Sequence, residues 1–324
     1  MRNTVRHVLL FSVILNVLLL DLSGWKNVTQ KQRNGSLPLL HPANCLAGFD
    51  AQNIRMRQYA YRARLTHLVI VFSKRQMADL QRLLHSWVSH PPCKADVPRP
   101  LGPLGRNIHL VLHVSESRKI ARIQAKLEVM YKGLPPAIQK CFQDMSVSFG
   151  ELDNSHAVEY DWGRWILFDH MVTGYLGIID PSYVYYMNVH TRPVASGWLG
   201  TLDSLCRWPS APFLIKGTMM AAQNTTHPPH LSEEALYYLG SSALRLFYLN
   251  YISPLIASGK DHFVEECITR FLDDPTQQET SSQVAHQVQY TDVLSFAHNS
   301  PFTVQQLLVT RPNTVLARGY AGQI

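Results

Sequence analysis

The stretch Leu68-Val-Ile-Val-Phe72 is a continuous run of apolar residues. Such a run is typical of a strand that is buried on both faces, as the strands of a parallel sheet are. Apolar residues at helical spacing follow it, from Met77 to Trp87, and the same pair of patterns then recurs in Ile108–Val114 and in residues 120–130. Strands that alternate with helices in this way predict an α/β fold with a mostly parallel sheet flanked by helices.

Further strands and helices are predicted along the rest of the chain. The predicted strands lie at 147–149, Tyr183–Met187, Phe213–Gly217 and Val315–Ala317, and the predicted helices at Trp165–Leu176, Trp198–Leu205, Glu233–Ile252 and His262–Leu272. Ligands of such sheets bind beyond the carboxyl ends of the strands, near the point where the strand order reverses. We therefore expect functional residues in the segments that follow Phe72, Val114, Leu152 and Met187.

Composition and charge exclude several classes of protein. The chain has 324 residues, of which 46% are hydrophobic and 16% charged, so it is neither disordered nor collagen-like. Its net charge of +7 comes from residues 1–64, which hold nine Lys and Arg against two Asp, whereas the remaining residues balance. A nucleic-acid-binding protein carries its basic surface on the folded domain, so we predict no nucleic-acid partner.

The N-terminus predicts a membrane signal. Residues 8–20 are apolar apart from Ser12 and Asn16, and Arg2 and Arg6 precede them. The run is shorter than the ~20 residues that span a typical bilayer, which leaves three alternatives: an uncleaved signal-anchor, a cleaved signal peptide or a buried helix of a cytosolic protein. The favoured one gives a cytoplasmic tail at 1–7, a signal-anchor at 8–22, a stem at 23–62 and a single lumenal domain at 63–324. That organisation predicts a single-pass type II protein of the Golgi or ER membrane.

Sequons and cysteines are consistent with a lumenal domain. Asn27, Asn34 and Asn224 each begin an N-x-Ser/Thr acceptor for N-glycosylation. The five cysteines form no CxxC motif, which argues against a zinc ribbon or a thioredoxin site. In an oxidising lumen they predict two disulfides and one free thiol, and the alternative is a set of buried reduced thiols.

Several common catalytic motifs are absent from the sequence. It contains no GxGxxG, GxxxxGK, HExxH or GxSxG pattern, so dinucleotide-binding, P-loop, zinc-protease and hydrolase functions are not predicted. His109 and His113 fall on one face of a predicted strand, where they could bind a metal or form an ordinary polar face.

The segment Tyr183-Val-Tyr-Tyr-Met-Asn-Val-His-Thr-Arg-Pro-Val-Ala-Ser-Gly-Trp-Leu-Gly-Thr-Leu202 carries a resemblance to a known family. It resembles a signature of protist, algal and plant nucleotide-diphospho-sugar transferases with a GT-A fold. In that signature a strand ends in Met-Glu-Pro-Asp, and a polar pair, Pro, a short spacer and Gly-Trp-Leu follow. Four further segments are similar to the family in the same order, so the resemblance spans about 67–320: Val69–Ser73, Ile215–Thr218, Gly240–Leu244 and Pro312–Leu316.

The resemblance implies an enzyme of the secretory pathway that passes a sugar from a nucleotide-sugar donor to a glycan or protein acceptor. Most members hold Mn²⁺ or Mg²⁺ with the acidic motif, because hard cations prefer carboxylate oxygens. Here the motif is degenerate: Asn188-Val189-His190 stands in place of Glu-Pro-Asp. Asn188 and His190 could bind an ion only weakly, through an amide oxygen and an imidazole nitrogen.

The loss of the acidic motif suggests a linked change elsewhere. Arg318 stands where relatives often place a metal-binding His. We hypothesise that its guanidinium, with Arg192 or Lys216, supplies the positive charge that the metal supplies in relatives, so that metal dependence is weak or absent. The alternative is a catalytically inactive member that binds nucleotide or glycan, or that partners an active transferase.

The resemblance also implies roles for residues outside the signature. Glu265 aligns with an Asp of the family and is the candidate catalytic base, and the alternative is a solvated glutamate on a helix. Ser73 and Lys74 follow the first strand, where relatives bind the nucleotide. Asp161 and Asp169 are either nucleotide contacts or part of a helix surface. Trp198 and Leu199 either pack in the core or stack on a sugar, and packing is the favoured alternative.

Overall fold

The computed structural model describes residues 64–94, 108–116, 121–152, 161–178, 183–207, 210, 212–220, 229–258 and 264–322. The predicted tail, signal-anchor and stem lie outside these ranges, as do the sequons at Asn27, Asn34 and Asn224. Within the described ranges, no helix has both the length and the apolar character needed to cross a membrane.

Twelve strands and ten α-helices are found in the described ranges. The strands are β1 (Leu65–Phe72), β2 (His109–Val114), β3 (Met145–Phe149), β4 (Tyr183–Asn188), β5 (Arg192–Pro193), β6 (Ile215–Gly217), β7 (Met219–Met220), β8 (His230–Leu231), β9 (Leu236–Tyr238), β10 (Val288–Tyr290), β11 (Leu294–Thr303) and β12 (Leu316–Ala321). The helices are α1 (Met77–Ser89), α2 (Ala121–Lys132), α3 (Pro136–Gln139), α4 (Asp161–Val172), α5 (Trp198–Leu205), α6 (Ser242–Phe247), α7 (Ser253–Ala257), α8 (Val264–Asp273), α9 (Gln278–Ala285) and α10 (Val304–Thr310).

The main sheet has seven strands in the order β10-β6-β9-β4-β1-β2-β3. Its strands pair in parallel except β9, which is antiparallel to both β4 and β6. Apolar side chains cover both faces, because the central strands alternate: Leu68 and Ile70 pack with one cluster, and Val69 and Val71 with the other. The prediction of an α/β fold with a mostly parallel sheet is confirmed.

The strand order reverses beside β1. The chain runs from β1 to β2 and β3 on one side, and then returns to form β4 on the other side of β1. The crevice beyond the carboxyl ends of β1 and β4 is therefore the switch point, where ligands of α/β sheets bind. A second sheet, β11-β12-β5, stands next to it, because β5 follows β4 after only three residues and pairs antiparallel with β12.

The helix predicted over Glu233–Ile252 is wrong in its first half. Leu236–Tyr238 is β9, and helical structure begins only at Ser242. Periodicity cannot distinguish a short apolar run, here one that ends before Gly240, from a buried helical segment. In the folded protein this run pairs with both β4 and β6 and is therefore a strand. The error matters for the site, because Glu233 and Glu234 lead into a strand rather than start a helix.

The cysteines form one disulfide in the described ranges, between Cys93 and Cys141. Cys206 and Cys267 are both buried, and Cys45 lies outside the description. The expectation of two disulfides is therefore not met by the described residues, since both remaining thiols are enclosed by separate parts of the core. The bridge ties the segment after α1 to the turn after α3, across 48 residues of sequence.

Removal of this bridge by the double substitution Cys93→Ser and Cys141→Ser is expected to lower the free energy of unfolding by about 4 kcal/mol. The disulfide closes a loop of 48 residues and thereby lowers the conformational entropy of the unfolded chain. Without the disulfide the unfolded state gains this entropy, so the folded state is less stable. Urea unfolding of both proteins, with and without a reductant, measures the change. Reductant should bring the unmodified protein to the level of the double variant and leave the variant unchanged; equal stability of the unmodified protein in both conditions would contradict the prediction.

Candidate functional site

A cleft of about 560 Å³ lies at the switch point. Its two walls differ in chemistry, and we call them the charged wall and the neutral wall. The charged wall consists of Asp79, Arg82, His190, Arg192 and Arg318, and the neutral wall of Ala297, Asn299, Ser300, Gly319, Tyr320 and Ala321.

The charged wall is assembled from three segments that are distant in sequence. Helix α1 supplies Asp79 and Arg82, which form an ion pair one helical turn apart. Strand β5 supplies Arg192, and it pairs with β12 so that Arg192 lies opposite Ala317, the residue before Arg318. His190 comes from the turn between β4 and β5, with its Nδ1 atom 3.9 Å from Oδ1 of Asp79. The fold thus brings three guanidinium groups to one cleft.

Glu234 lies behind the charged wall and is fully buried. Its Oε1 atom is 2.8 Å from Nε of Arg318, an ionic contact without the alignment of a hydrogen bond. Its Oε2 atom accepts a hydrogen bond from the backbone N–H of Asn188 at 3.0 Å and another from the hydroxyl of Thr191. One carboxylate therefore positions both the turn after β4 and the guanidinium on β12.

The turn after β4 satisfies most of its polar groups internally. The side-chain oxygen of Asn188 accepts a hydrogen bond from the backbone N–H of His190 at 2.9 Å. The guanidinium of Arg192 donates to the carbonyl oxygens of Val189 and Thr191. Asn188 and Arg192 are consequently held in place before any ligand arrives.

These contacts do not fit a divalent cation at Asn188 and His190. The amide oxygen of Asn188 is engaged within the turn, and the carboxylates of Asp79 and Glu234 are each paired with an arginine. The ranges that the structure describes contain no group of three or more His, Cys, Asp or Glu able to hold a metal ion. Hard cations require several free oxygen ligands, and this donor set does not offer them.

Burial and the neighbouring charges together lower the pKa of His190. Partial burial lowers its pKa, and the positive charges of Arg192 and Arg318 lower it further, against an opposing effect of Asp79. Burial is also the main reason why the pKa of Arg192 is lowered, with a contribution from Arg82. Burial is the largest cause of both shifts, and nearby arginines contribute to each. The attraction of the cleft for an anionic ligand rests on its three guanidinium groups.

Three other residues predicted to bind the nucleotide-sugar lie away from the cleft lining. Lys216 is buried on β6, with its ammonium 4.3 Å from the centre of the Phe213 ring, and burial lowers its pKa. Ser73 is buried after β1, where its backbone N–H donates to the side chain of Gln76 at 2.9 Å. Lys74 is exposed, and its backbone N–H donates to the carboxylate of Glu116 at 2.7 Å. The structure brings Arg192 and Arg318 together but does not bring Lys216 to them.

The candidate base Glu265 is also outside the cleft lining. It lies near the start of α8 and is buried, and its Oε2 atom has no hydrogen-bond partner among the residues that the structure describes. Its negative charge raises the pKa of Tyr237 in addition to the larger effect of burial. Asp169 is enclosed as well: it accepts a hydrogen bond from the hydroxyl of Tyr248 at 3.0 Å, and burial raises its pKa to about 6. The side chain of Asp161 lies outside the description.

Trp198 and Leu199 are core residues. Both are buried, and the ring of Trp198 packs 5.7 Å from that of Trp87, centre to centre. Its indole N–H donates to the carbonyl of His90 at 3.2 Å. His109 and His113 are also separated in environment, since His109 contacts Asp144 at 2.7 Å whereas His113 is fully buried beside His170.

Glu234 and the neutral wall were not predicted from the sequence. Glu234 stood inside a segment assigned to a helix, where a Glu-Glu pair is an ordinary helix start. Its only local signal is its place directly before the apolar run that forms β9. The neutral wall is built by β11 and β12 together. The polar residues of β11 at 295 and 298–300 carry no clear strand pattern.

The chain matches no protein-family model and no curated protein. Among solved structures it is similar to the glycosyltransferase GlyE of Streptococcus pneumoniae TIGR4, with 8% identity and a TM-score of 0.42 over 79% of this chain and 55% of GlyE. It is similar to the galactosyltransferase LgtC in complex with donor and acceptor sugar analogs, with 14% identity and a TM-score of 0.42 over 79% of this chain and 87% of LgtC. It is also similar to mouse xyloside xylosyltransferase 1, with 11% identity and a TM-score of 0.43 over 80% of this chain and 98% of that one. The chain thus spans just over half of the length of GlyE.

Proposed function

We propose that the protein is a glycosyltransferase with a GT-A-like domain. It binds a nucleotide-diphospho-sugar in the cleft and transfers the sugar to a glycan or protein acceptor, with weak or no dependence on a metal. The observation that carries the proposal is the convergence of Arg82, Arg192 and Arg318 on one cleft at the switch point of the sheet. Guanidinium groups donate paired hydrogen bonds that match phosphate oxygens, so the cleft suits a diphosphate.

The charge balance of sugar transfer explains what the arginines would do. As the bond between sugar and diphosphate breaks, negative charge grows on the leaving diphosphate. Arg318 is held by Glu234 and Arg192 by two backbone carbonyls, so both are positioned before the donor binds. Preorganised cations of this kind stabilise a developing charge without further reorganisation, which is the part that a metal ion plays in related chemistry.

The signature segment supports the family proposal by its position. Tyr183–Asn188 is β4 beside β1, the following turn carries His190 and Arg192 into the cleft, and Trp198 begins α5. The Cys93–Cys141 disulfide supports a protein of the secretory pathway, because such bridges are rare in the cytosol. With the N-terminal apolar run and the sequons, it supports a type II membrane protein of the Golgi or ER whose folded domain is lumenal.

The state of the carboxylates favours a second candidate function. An acceptor hydroxyl usually needs a base, and Asp79 and Glu234 are both paired with arginines. Glu265, the base that the resemblance implies, does not line the cleft. The second candidate is therefore a catalytically inactive member that binds a nucleotide or glycan, or that partners an active transferase.

Calorimetric titration of the purified full chain with UDP, GDP, CMP and their sugars, first with Mn²⁺ and then with EDTA, tests the proposal. We expect one nucleotide family to bind in EDTA, and Arg318→Ala to weaken that binding by about tenfold or more, because a charge-assisted contact to phosphate is lost. Arg207→Ala is the matched control, since Arg207 pairs with Asp203 on α5 and is not part of the cleft lining.

Each outcome of this titration decides a different part of the proposal. Binding that requires Mn²⁺ would contradict metal-independent binding, and no binding in either condition would overturn the proposed function. Turnover is measured on the same protein by adding a glycan mixture to the bound sugar donor. Release of free nucleotide would then favour the transferase. Tight binding with no turnover would favour the inactive member.

A further inference from the structure

We propose that the neutral wall is the subsite for the donor's sugar, and that this sugar is uncharged. The inference rests on the proposed function and deepens it. It follows from the chemistry of Asn299, Ser300 and Tyr320, which face the same cleft as the arginines but carry no formal charge.

The neutral wall is made by an irregularity in the pairing of β11 with β12. Phe296 pairs with Arg318 and Ser300 pairs with Tyr320, so four steps along β11 match two along β12. The extra residues of β11 form a bulge, and bulges of this kind redirect side chains next to binding sites. Asn299 lies in this bulge and is exposed at the cleft.

The backbone conformation of Asn299 supports a role of the bulge in ligand binding. Its φ angle is +51°, in the left-handed region that few residues other than glycine adopt at low cost. Such conformations cluster at ligand-binding positions, where the surrounding structure maintains them. Asparagine is among the few residues other than glycine that adopt this conformation readily, and here the exposed Asn299 also presents an amide group at the cleft.

The groups on this wall match the hydroxyls of a sugar. A sugar hydroxyl both donates and accepts hydrogen bonds, and so do the amide of Asn299 and the hydroxyl of Ser300. The hydroxyl of Tyr320 lies 2.7 Å from Oγ of Ser295, which fixes the ring of Tyr320 in the wall. An acidic sugar would require a cation on this side of the cleft, and the six neutral-wall residues include none.

The order of the two walls also matches the covalent order of the ligand. Arg318, Gly319 and Tyr320 are consecutive, so the charged wall continues directly into the neutral wall. A nucleotide-diphospho-sugar likewise joins a charged diphosphate to a neutral ring through a single bond. The volume of about 560 Å³ lies within the range of roughly 300–1,000 Å³ that small-molecule sites occupy.

The test separates sugar binding from nucleotide binding. The full chain is titrated with UDP, UDP-glucose, UDP-galactose, UDP-xylose and UDP-glucuronic acid, or with the guanosine counterparts if GDP binds more tightly. We expect at least one neutral sugar nucleotide to bind several-fold more tightly than the nucleotide alone, and the glucuronic acid derivative not to share this gain. The variant Asn299→Gly should abolish the gain and leave the dissociation constant of the free nucleotide unchanged.

Asn299→Gly is informative because glycine accepts the same φ angle, so the fold is retained while the amide is removed. Ser300→Ala serves as the second variant and should reduce the gain in the same way. If neither variant changes the preference for a sugar nucleotide, the subsite is wrong although the proposed function stands. If Asn299→Gly weakens nucleotide and sugar nucleotide equally, the wall has no sugar-specific role, and if no nucleotide binds at all, the proposed function fails together with this inference.

Discussion

Glu234→Ala is expected to lower the free energy of unfolding by about 3–5 kcal/mol. Loss of one partner from a buried ion pair leaves the other charge without compensation, and here the side chain of Arg318 is only 20% exposed. The same change removes the acceptor of the Asn188 N–H and of the Thr191 hydroxyl. Urea unfolding at neutral pH measures the loss, and Glu128→Ala, at an exposed helical position, should change stability by less than about 0.5 kcal/mol.

Two further variants separate charge from hydrogen bonding at this position. Glu234→Gln keeps a side-chain oxygen for Asn188 or Thr191 but no longer neutralises Arg318, so nucleotide binding should become tighter while stability falls. Glu234→Ala combined with Arg318→Met should be more stable than Glu234→Ala alone, because the stranded charge is also removed. A loss below about 1 kcal/mol for Glu234→Ala would contradict the expected stability effect. Weaker nucleotide binding by Glu234→Gln would mean that Glu234 aids binding by positioning Arg318 more than it opposes binding by neutralising its charge.

Gly319→Ala is the second change with a large expected effect. Gly319 has a φ angle of +79°, and a Cβ atom there would stand 1.9 Å from the backbone carbonyl oxygen of Ala297. The left-handed conformation alone costs about 1–2 kcal/mol for alanine. The overlap must add to this cost, because the obstructing atom belongs to the bulge of β11 and cannot rotate away.

Two glycines of the same protein serve as matched controls for this prediction. Gly322 has a φ angle of +78° with nothing within 4 Å of the Cβ position, so Gly322→Ala measures the backbone cost alone. Gly200 lies in α5 with open space and an ordinary backbone, and Gly200→Ala should be neutral or slightly stabilising. Thermal unfolding of the three variants should rank Gly319→Ala as clearly the least stable. Equal losses of stability for Gly319→Ala and Gly322→Ala would mean that the backbone of the β11 bulge moves away from the new Cβ atom at no free-energy cost.

The sequence alone predicted the elements whose pattern is local. The apolar run Leu68–Phe72 lies in β1, the residues at helical spacing from Met77 to Trp87 form α1, and the signature segment contains β4 and the start of α5. These patterns succeed because buried strands and amphipathic helices repeat their burial every few residues along the chain. The position of the cleft followed from the same patterns only in part. Segments after Phe72 and Met187 line it, whereas the predicted segments after Val114 and Leu152 are not in its lining.

The composition of the site was decided by the tertiary structure. Local patterns did not reveal β9, because its short apolar run forms a strand only by pairing with β4 and β6. They did not reveal Glu234 as the partner of Arg318, or the bulge at Asn299, because both depend on which strands meet. The contacts of Asn188 do not fit the metal-binding role predicted for it. The catalytic role of Glu265 and the N-terminal anchor stay predictions from the sequence.

The physical reason for this division is the range of the interactions. Helix and strand periodicity arises between residues a few positions apart, whereas the carboxylate of Glu234 meets Asn188 across 46 residues and Thr191 across 43. Such contacts form only when the chain has folded. No regular spacing in the sequence marks the two residues that will meet. The sequence therefore determined a parallel α/β sheet and the place of its ligand crevice, and the packing of β9 and β12 against β4 and β5 decided which charges that crevice holds.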